Sequence, residues 1–322
     1  MSARTRIRLI VGVFALVAAA VVAGVALIGR GDGSPARNPP ALELSVILGD
    51  DAEAQALRAA ERAYDSGQTD EARSRFAAVL RDHPDSVEAA VGAAIAAWPQ
   101  GTLDRLRELE ASHPESALVH LHLGLALYAE GQRDEATAEW KKAVEVEPDS
   151  QSAVRAGDLL HPDMAPGLPT FFTTLQPSDG LAGKSAQEQL DALEHAARHG
   201  GGADEWILYG TALQRVGKPL TARAAFDRAL DLEPHSLEAE VAAAIGRFDK
   251  DDPSAAFSRL GPLARDNPGS ALVRFHLGVA LLWIRDVKDA RAQLEQAAAT
   301  MPASLYSREA KSLLSRLEDI GT

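Results

Sequence analysis

Apolar residues recur at the spacing of an α-helix through most of the chain, and short gaps containing glycine separate successive runs. Ser116–Ser150 shows the pattern most clearly. Its first apolar stripe consists of Leu118, Leu121, Leu125 and Tyr128. Gly131 interrupts the stripe, a second stripe follows around Trp140, and Pro148 ends the run. The pattern predicts two antiparallel helices joined by a short turn.

The spacing of proline shows that this unit is repeated. Three prolines stand at positions 84, 114 and 148, and three more stand at 234, 268 and 302, which is 150, 154 and 154 residues later. Ser116–Ser150 aligns with Ser270–Ser304, and SALV, HLG and several alanines are identical between them. We therefore expect a duplicated block of three helix pairs.

Small residues inside these units indicate which family the chain resembles. The motif reads His120-x2-Leu123-Gly124-x2-Leu127…Gly131…Ala136-x3-Trp140-x2-Ala143-x4-Pro148 in one unit and Trp206-x2-Tyr209-Gly210-x2-Leu213…Gly217…Ala222-x3-Phe226-x2-Ala229-x4-Pro234 in another. Both resemble the tetratricopeptide (TPR) repeat, and the resemblance covers roughly residues 54–150 and 203–304. It implies an all-α fold, an α-solenoid of helix-turn-helix repeats.

The resemblance also implies that the first helix of each repeat lines a concave face. When the residues that pack repeats together are set aside, an apolar surface remains, which we call the predicted groove. Its residues are Val91, Ile95, Trp98, Leu118, Leu121, His122, Leu125, Tyr128, Val241, Ile245, Phe248, Leu272, Phe275, His276, Val279, Leu282 and Trp283. This surface suits a partner's amphipathic helix or extended apolar segment.

Two occupants of the predicted groove remain open at this stage. Helices predicted over Ser116–Glu130 and Ser270–Ile284 are apolar on most sides, so something must cover them. One candidate is a segment of a partner protein. The other is the chain itself, through Leu168, Phe171, Phe172 and Leu175.

The N-terminal residues predict a membrane anchor. Leu9–Gly29 contains 21 residues without a charge, enough for one transmembrane helix. Arg4, Arg6 and Arg8 precede it, which favours a cytoplasmic N-terminus and an extracytoplasmic body in the cell membrane. A cleaved signal peptide ending near Ala20 is the alternative.

The predicted organisation has five parts along the chain. Residues 1–30 are a cytoplasmic tail and transmembrane helix, and 31–52 are a spacer rich in proline and glycine. Residues 53–150 form the first block of three repeats, 151–185 an irregular connector, and 186–322 the second block with a leading helix and a C-terminal capping helix.

Composition and motifs argue against catalysis and against nucleic acid. The formal net charge of −13 disfavours nucleic acid, and the lack of cysteine excludes thiolate chemistry. Ser178–Ser185, SDGLAGKS, is one residue short of a P-loop and follows a candidate strand, TFFTTL. Its simpler interpretation is a capping box at Ser185 and Glu188. His195 and His199 lie four residues apart, but their spacing designates no third metal ligand.

These observations predict a non-enzymatic, membrane-anchored protein-protein interaction scaffold or chaperone-like adaptor. Its expected partner is a protein or peptide segment, with no cofactor, metal, small-molecule substrate or nucleic acid. The family resemblance implies one alternative, an assembly factor of cytochrome c maturation. The other alternative is a nucleotide- or metal-dependent protein that uses the Ser178–His199 region.

Overall fold

The computed structural model describes residues 39–44, 49, 51–177, 180–181 and 183–320, and this part of the chain is all-helical. The first seven helices are α1 (Ala52–Asp65), α2 (Thr69–Asp82), α3 (Val87–Ala96), α4 (Thr102–Ser112), α5 (Ala117–Ala129), α6 (Arg133–Val146) and α7 (Gln151–Leu160). The remaining eight are α8 (Ala186–Arg198), α9 (Ala203–Arg215), α10 (Pro219–Leu232), α11 (Leu237–Ile245), α12 (Ser254–Asp266), α13 (Ala271–Trp283), α14 (Val287–Ala299) and α15 (Leu305–Ile320). The predicted all-α class is confirmed for these residues.

The predicted transmembrane helix, Leu9–Gly29, lies outside the described residues. Among the helices that the structure describes, none combines the length and the apolar character needed to cross a bilayer.

The described residues form two compact units. The N-terminal unit holds the described part of Asp32–Leu160 together with Ser185–Gln187, and the C-terminal unit holds His161–Lys184 and the described part of Glu188–Thr322. In each unit, three helix pairs are followed by one further helix, which is α7 in the first unit and α15 in the second.

A proline and a serine two positions apart separate each helix pair from the next. Proline disfavours helical geometry in the residue before it, which ends the preceding helix. The serine then caps the following helix, as at Ser116, whose Oγ accepts the Val119 N–H at 3.4 Å. The same bond is made by Ser86, Ser236 and Ser270.

This punctuation also explains one error of prediction. The segment 151–185 was expected to be irregular throughout, but its first ten residues are the helix α7. Ser150 follows Pro148 as in the other pairs, and its Oγ accepts the Ala153 N–H at 3.1 Å. Ala153 and Ala156 are buried, so α7 covers the last pair of the N-terminal unit.

Close approach of the helices within a pair depends on glycine. A Cβ on Gly124 of α5 would stand 2.5 Å from Trp140 Cδ1 and 3.1 Å from the carbonyl oxygen of Ala136, both on α6. The indole therefore fills the space above Gly124, as the sequence motif predicts. Gly157 in α7 differs, because nothing lies within 4 Å of a Cβ added there.

These two glycines give a matched pair of substitutions. We expect Gly124→Ala to lower the free energy of unfolding by about 1–3 kcal/mol, since the helices must separate or Trp140 must move. Gly157→Ala should raise it by up to about 1 kcal/mol, because alanine favours a helix and meets no obstacle. Chemical denaturation of the two variants measures both changes. Equal effects would contradict the packing described for α5 and α6.

Candidate functional site: the covered groove of each unit

The structure buries most of the predicted groove. Thirteen of its 17 residues are buried: Val91, Ile95, Leu118, Leu121, His122, Val241, Ile245, Phe248, Phe275, His276, Val279, Leu282 and Trp283. Trp98, Leu125 and Leu272 are partly buried, and Tyr128 is 49% exposed. Segments of the chain itself supply the cover.

In the C-terminal unit the cover is residues 165–176, which we call the C-terminal strap. It has no regular secondary structure and contributes Phe171 and Phe172 to the core. The Phe172 N–H donates to His276 Nε2 at 2.9 Å, while His276 Nδ1 lies 2.8 Å from the Leu272 carbonyl oxygen. The carbonyl requires a proton on Nδ1, so Nε2 is the acceptor. The ring of Phe171 stacks on His276 at a centroid distance of 4.7 Å.

Further bonds hold the backbone of this strap. The Phe171 N–H donates to Gln214 Oε1 at 2.7 Å. At the other end, the Ala165 N–H donates to the Trp283 carbonyl at 2.8 Å, and Trp283 Nε1–H donates to the Gly167 carbonyl at 3.1 Å. The strap is therefore bonded to Gln214 of α9, to His276 in the middle of α13 and to Trp283 at the C-terminal end of α13.

The sequence left two occupants of the predicted groove open, and in the C-terminal unit the occupant is a segment of the chain itself. Phe171 and Phe172 are buried, and Leu168 and Leu175 pack against the same core. Of the two alternatives, cover by the chain itself is the one that the described residues show for the C-terminal unit. Whether a partner also binds these residues stays a prediction.

The N-terminal unit has the same device in a segment that was assigned to the spacer. Residues 39–44, the N-terminal strap, include the buried Leu42 and Leu44, so this part of 31–52 belongs to the core. The Glu43 N–H donates to His122 Nε2 at 3.1 Å, and His122 Nδ1 lies 2.8 Å from the Leu118 carbonyl oxygen.

Three side chains complete the seat of this strap. Tyr64 donates its hydroxyl proton to the Pro40 carbonyl at 2.6 Å, and Glu61 Oε1 accepts the Leu44 N–H at 2.8 Å. Arg155 on α7 pairs its Nε with Glu43 Oε1 at 2.7 Å. The helices thus bind backbone groups of the strap and one acidic side chain, Glu43.

The two straps correspond to each other through their histidines. His122 and His276 are 154 residues apart, the offset of the duplicated blocks, and each accepts one strap N–H. Alignment on those N–H groups places Pro40 on Pro169 and Leu42 on Phe171. The sequence signal for the straps was this short proline–x–apolar pattern, which hydrophobic periodicity does not detect.

Burial changes the acid–base behaviour of both histidines. Each lies in the core, and loss of hydration lowers the pKa of His122 to about 4 and that of His276 to about 4. Burial also raises the pKa of Glu61 and that of Glu238, the acceptor of the Thr173 hydroxyl. The histidines are therefore neutral acceptors at pH 7.

Glu110, His120 and Glu139 are the three side chains within the described ranges that together could hold a metal ion. Lys142 Nζ already lies between the carboxylates, 2.8 Å from Glu110 Oε1 and 2.9 Å from Glu139 Oε1. His120 has its Nδ1 2.7 Å from Glu139 and its Nε2 2.8 Å from the Pro114 carbonyl. The ammonium group of Lys142 is thus bonded to both carboxylates, and both ring nitrogens of His120 already have protein partners.

The region proposed for nucleotide or metal binding shows neither geometry in its described part. Residues 170–177 form no strand, and Ser178, Asp179 and Ala182 lie outside the described residues. His195 and His199 are exposed and their rings stack at 4.1 Å. No third candidate ligand joins them among the residues that the structure describes.

The buried histidines predict acid sensitivity. The folded pKa lies below that of the unfolded chain, so stability is complete above about pH 6.5 and is lost as the pH falls toward 4. The loss is on the order of 3 kcal/mol for each histidine. The raised pKa of the buried carboxyls acts in the opposite sense. Urea unfolding at pH 7 and pH 4.5 should therefore show a smaller difference in His122→Leu and in His276→Leu than in the wild-type chain. An unchanged difference would contradict the neutral histidines.

Comparison with known proteins finds a family similarity over part of the N-terminal unit. A sequence family described as "Tetratricopeptide repeat" matches residues 57–105, which span α1 to the first turn of α4. No curated protein matches the chain.

Three similar solved structures are TPR proteins. YrrB, described as having an unusual peptide-binding site, is 18% identical, with 65% of this chain and 99% of YrrB covered and a TM-score of 0.32. A protein from Parabacteroides merdae is 12% identical, with 83% and 98% covered and a TM-score of 0.34. The TPR2AB-domain:pHSP90 complex of yeast Sti1 is 12% identical, with 85% and 100% covered and a TM-score of 0.31. The match over residues 57–105 makes the first helix pairs of the chain similar to the tetratricopeptide repeat.

Proposed function

We propose that this protein is an interaction scaffold that holds extended apolar polypeptide segments in the grooves of its repeat units. The observation that carries the proposal is the pair of buried histidines, each accepting a backbone N–H from an extended segment. A groove with this acceptor recognises the main chain of a polypeptide rather than one particular side chain.

The bonds to the straps favour an extended partner over an amphipathic helix. Beyond its first turn, a helix bonds its own backbone N–H groups, so it could not supply along its length the donors that His122, His276 and Gln214 accept. An extended segment leaves those groups available and presents apolar side chains to the core. Peptide recognition of this kind derives affinity from the main chain and specificity from side-chain pockets.

Membrane attachment is the second part of the proposal, and its support comes from the sequence. The uncharged Leu9–Gly29 follows three arginines, which favours an anchor with the repeats outside the cytoplasm. Such a scaffold would hold segments of secreted or envelope proteins close to the membrane.

Peptide binding is tested by restoring a damaged groove. Phe171→Ala removes a fully buried ring and should cost about 3–5 kcal/mol of unfolding free energy. The synthetic peptide GLPTFFTTLQ, which is residues 167–176, should then bind in trans and raise the melting temperature in proportion to the logarithm of its concentration. The matched control is the same peptide with aspartate at both phenylalanines. Failure of GLPTFFTTLQ to stabilise the variant, or equal stabilisation by the aspartate control, would refute the proposal.

Topology is tested separately. A reporter fused after Thr322 should be active only outside the cytoplasm, and the mature chain should retain Leu9–Gly29. N-terminal sequencing that finds Val21 as the first residue would show a cleaved signal peptide instead.

A further inference from the structure

We infer that the groove of the N-terminal unit exchanges its own strap for a partner segment of the same chemistry. That segment is extended and carries proline, any residue, an apolar residue, an acidic residue and an apolar residue, as Pro40–Leu44 does. The inference rests on the proposed function and specifies which groove is used and what it selects.

The two grooves differ in how far they are covered. Tyr128 is 49% exposed and Leu125 is partly buried, whereas the residues 154 positions later, Leu282 and Val279, are 2% and 3% exposed. The attachment of the straps differs too, because Trp283 bonds the C-terminal strap through both its carbonyl and its indole. The equivalent position in the N-terminal unit is Ala129, which has no side-chain donor.

The residues that fill the grooves differ in the same direction. Phe171 stacks on His276, and Phe172 packs edge-on against Tyr306 at 5.9 Å. The corresponding residues of the N-terminal strap are Leu42, which is aliphatic, and Glu43, which is charged. Both straps bury apolar residues, but aromatic rings pack the C-terminal strap, whereas the N-terminal strap offers aliphatic side chains and one charge that a second segment could reproduce.

Arg155 is the reason that the partner segment should carry an acidic residue at the position of Glu43. Its guanidinium pairs with Glu43. The two side chains are 32% and 42% exposed, so the ion pair is accessible to solvent. In the C-terminal unit, the counterpart of Arg155 is Glu309, 154 positions later, and the counterpart of Glu43 is the uncharged Phe172. These two residues cannot form an ion pair. Selection for an acidic residue is thus a property of the N-terminal groove, and Arg155 is the residue that determines it.

Covalent attachment gives the N-terminal strap an advantage over a free peptide. A tethered segment competes at an effective concentration in the millimolar range when the linker is short. We therefore expect the groove of the wild-type chain to bind a free peptide weakly. Binding should become at least about tenfold tighter when the strap is weakened by Leu42→Ser with Leu44→Ser.

The experiment uses the full chain in detergent and fluorescein-labelled NPPALEL, which is residues 38–44. On the Leu42→Ser, Leu44→Ser background, Arg155→Glu should weaken binding by about fivefold, the scale of a partly exposed ion pair. The peptide NPPALKL should recover that loss on the Arg155→Glu variant. Arg107→Glu is the matched control, because Arg107 pairs with Glu135 on α6 and its reversal should leave binding unchanged.

A second measurement covers the outcome in which the weakened strap unfolds the unit. In the wild-type chain, excess NPPALEL should increase hydrogen exchange at the Glu43 and Leu44 amides, which are bonded to His122 and Glu61. The Phe172 amide in the other unit should keep its protection. Unchanged exchange at Glu43 and Leu44 with the peptide in saturating excess would overturn the inference.

The failures of the two proposals are distinguishable. If GLPTFFTTLQ binds its groove and NPPALEL does not, or if Arg155→Glu has no effect on NPPALEL, this inference is wrong and the scaffold remains. If neither peptide binds either groove, the scaffold proposal is wrong as well.

Discussion

A buried, neutral imidazole that accepts a backbone N–H is the interaction on which both units depend. His122 and His276 lie in the core, each beside the carbonyl of the residue four positions earlier in its helix, which leaves Nε2 as an acceptor. A buried acceptor without a donor destabilises the fold by about 1–3 kcal/mol. An extended segment supplies that donor, whereas a helix has free N–H groups only in its first turn.

The rest of each unit is arranged so that the extended segment fits. Glycine at Gly124 and Gly278 brings the two helices of a pair together, and the serine caps set where each helix begins. The first helix of each pair then contributes to an apolar surface that is stable only when it is shielded from solvent. Apolar side chains of the straps bury this surface, Leu42 and Leu44 in the N-terminal unit and Phe171 and Phe172 in the C-terminal unit.

Duplication has given the two copies different polar residues at the same positions. His120 with Glu139 in the N-terminal unit corresponds to Arg274 with Gln293 in the C-terminal unit, where Arg274 donates to Gln293 Oε1 at 2.8 Å. Both pairs join the first and second helices of one repeat. The recurrence of a polar pair at this interface indicates a structural role for His120 rather than a metal-binding one.

The sequence by itself determined the helices and their pairing. Apolar periodicity, the glycine of each pair and the proline–x–serine boundaries act over fewer than about 35 residues, so they can be read locally. The same boundary signal at Pro148 and Ser150 marks α7, although the segment was predicted to be irregular.

Only the tertiary structure decided what covers the grooves. The bonds that seat the straps join residues 79 and 104 positions apart, Glu43 to His122 and Phe172 to His276. An extended segment makes few bonds within itself and has no helical period, so hydrophobic periodicity does not distinguish Pro40–Leu44 from a flexible spacer. The helices carry their own pattern because their hydrogen bonds are local, whereas the straps acquire their conformation from the groove that binds them.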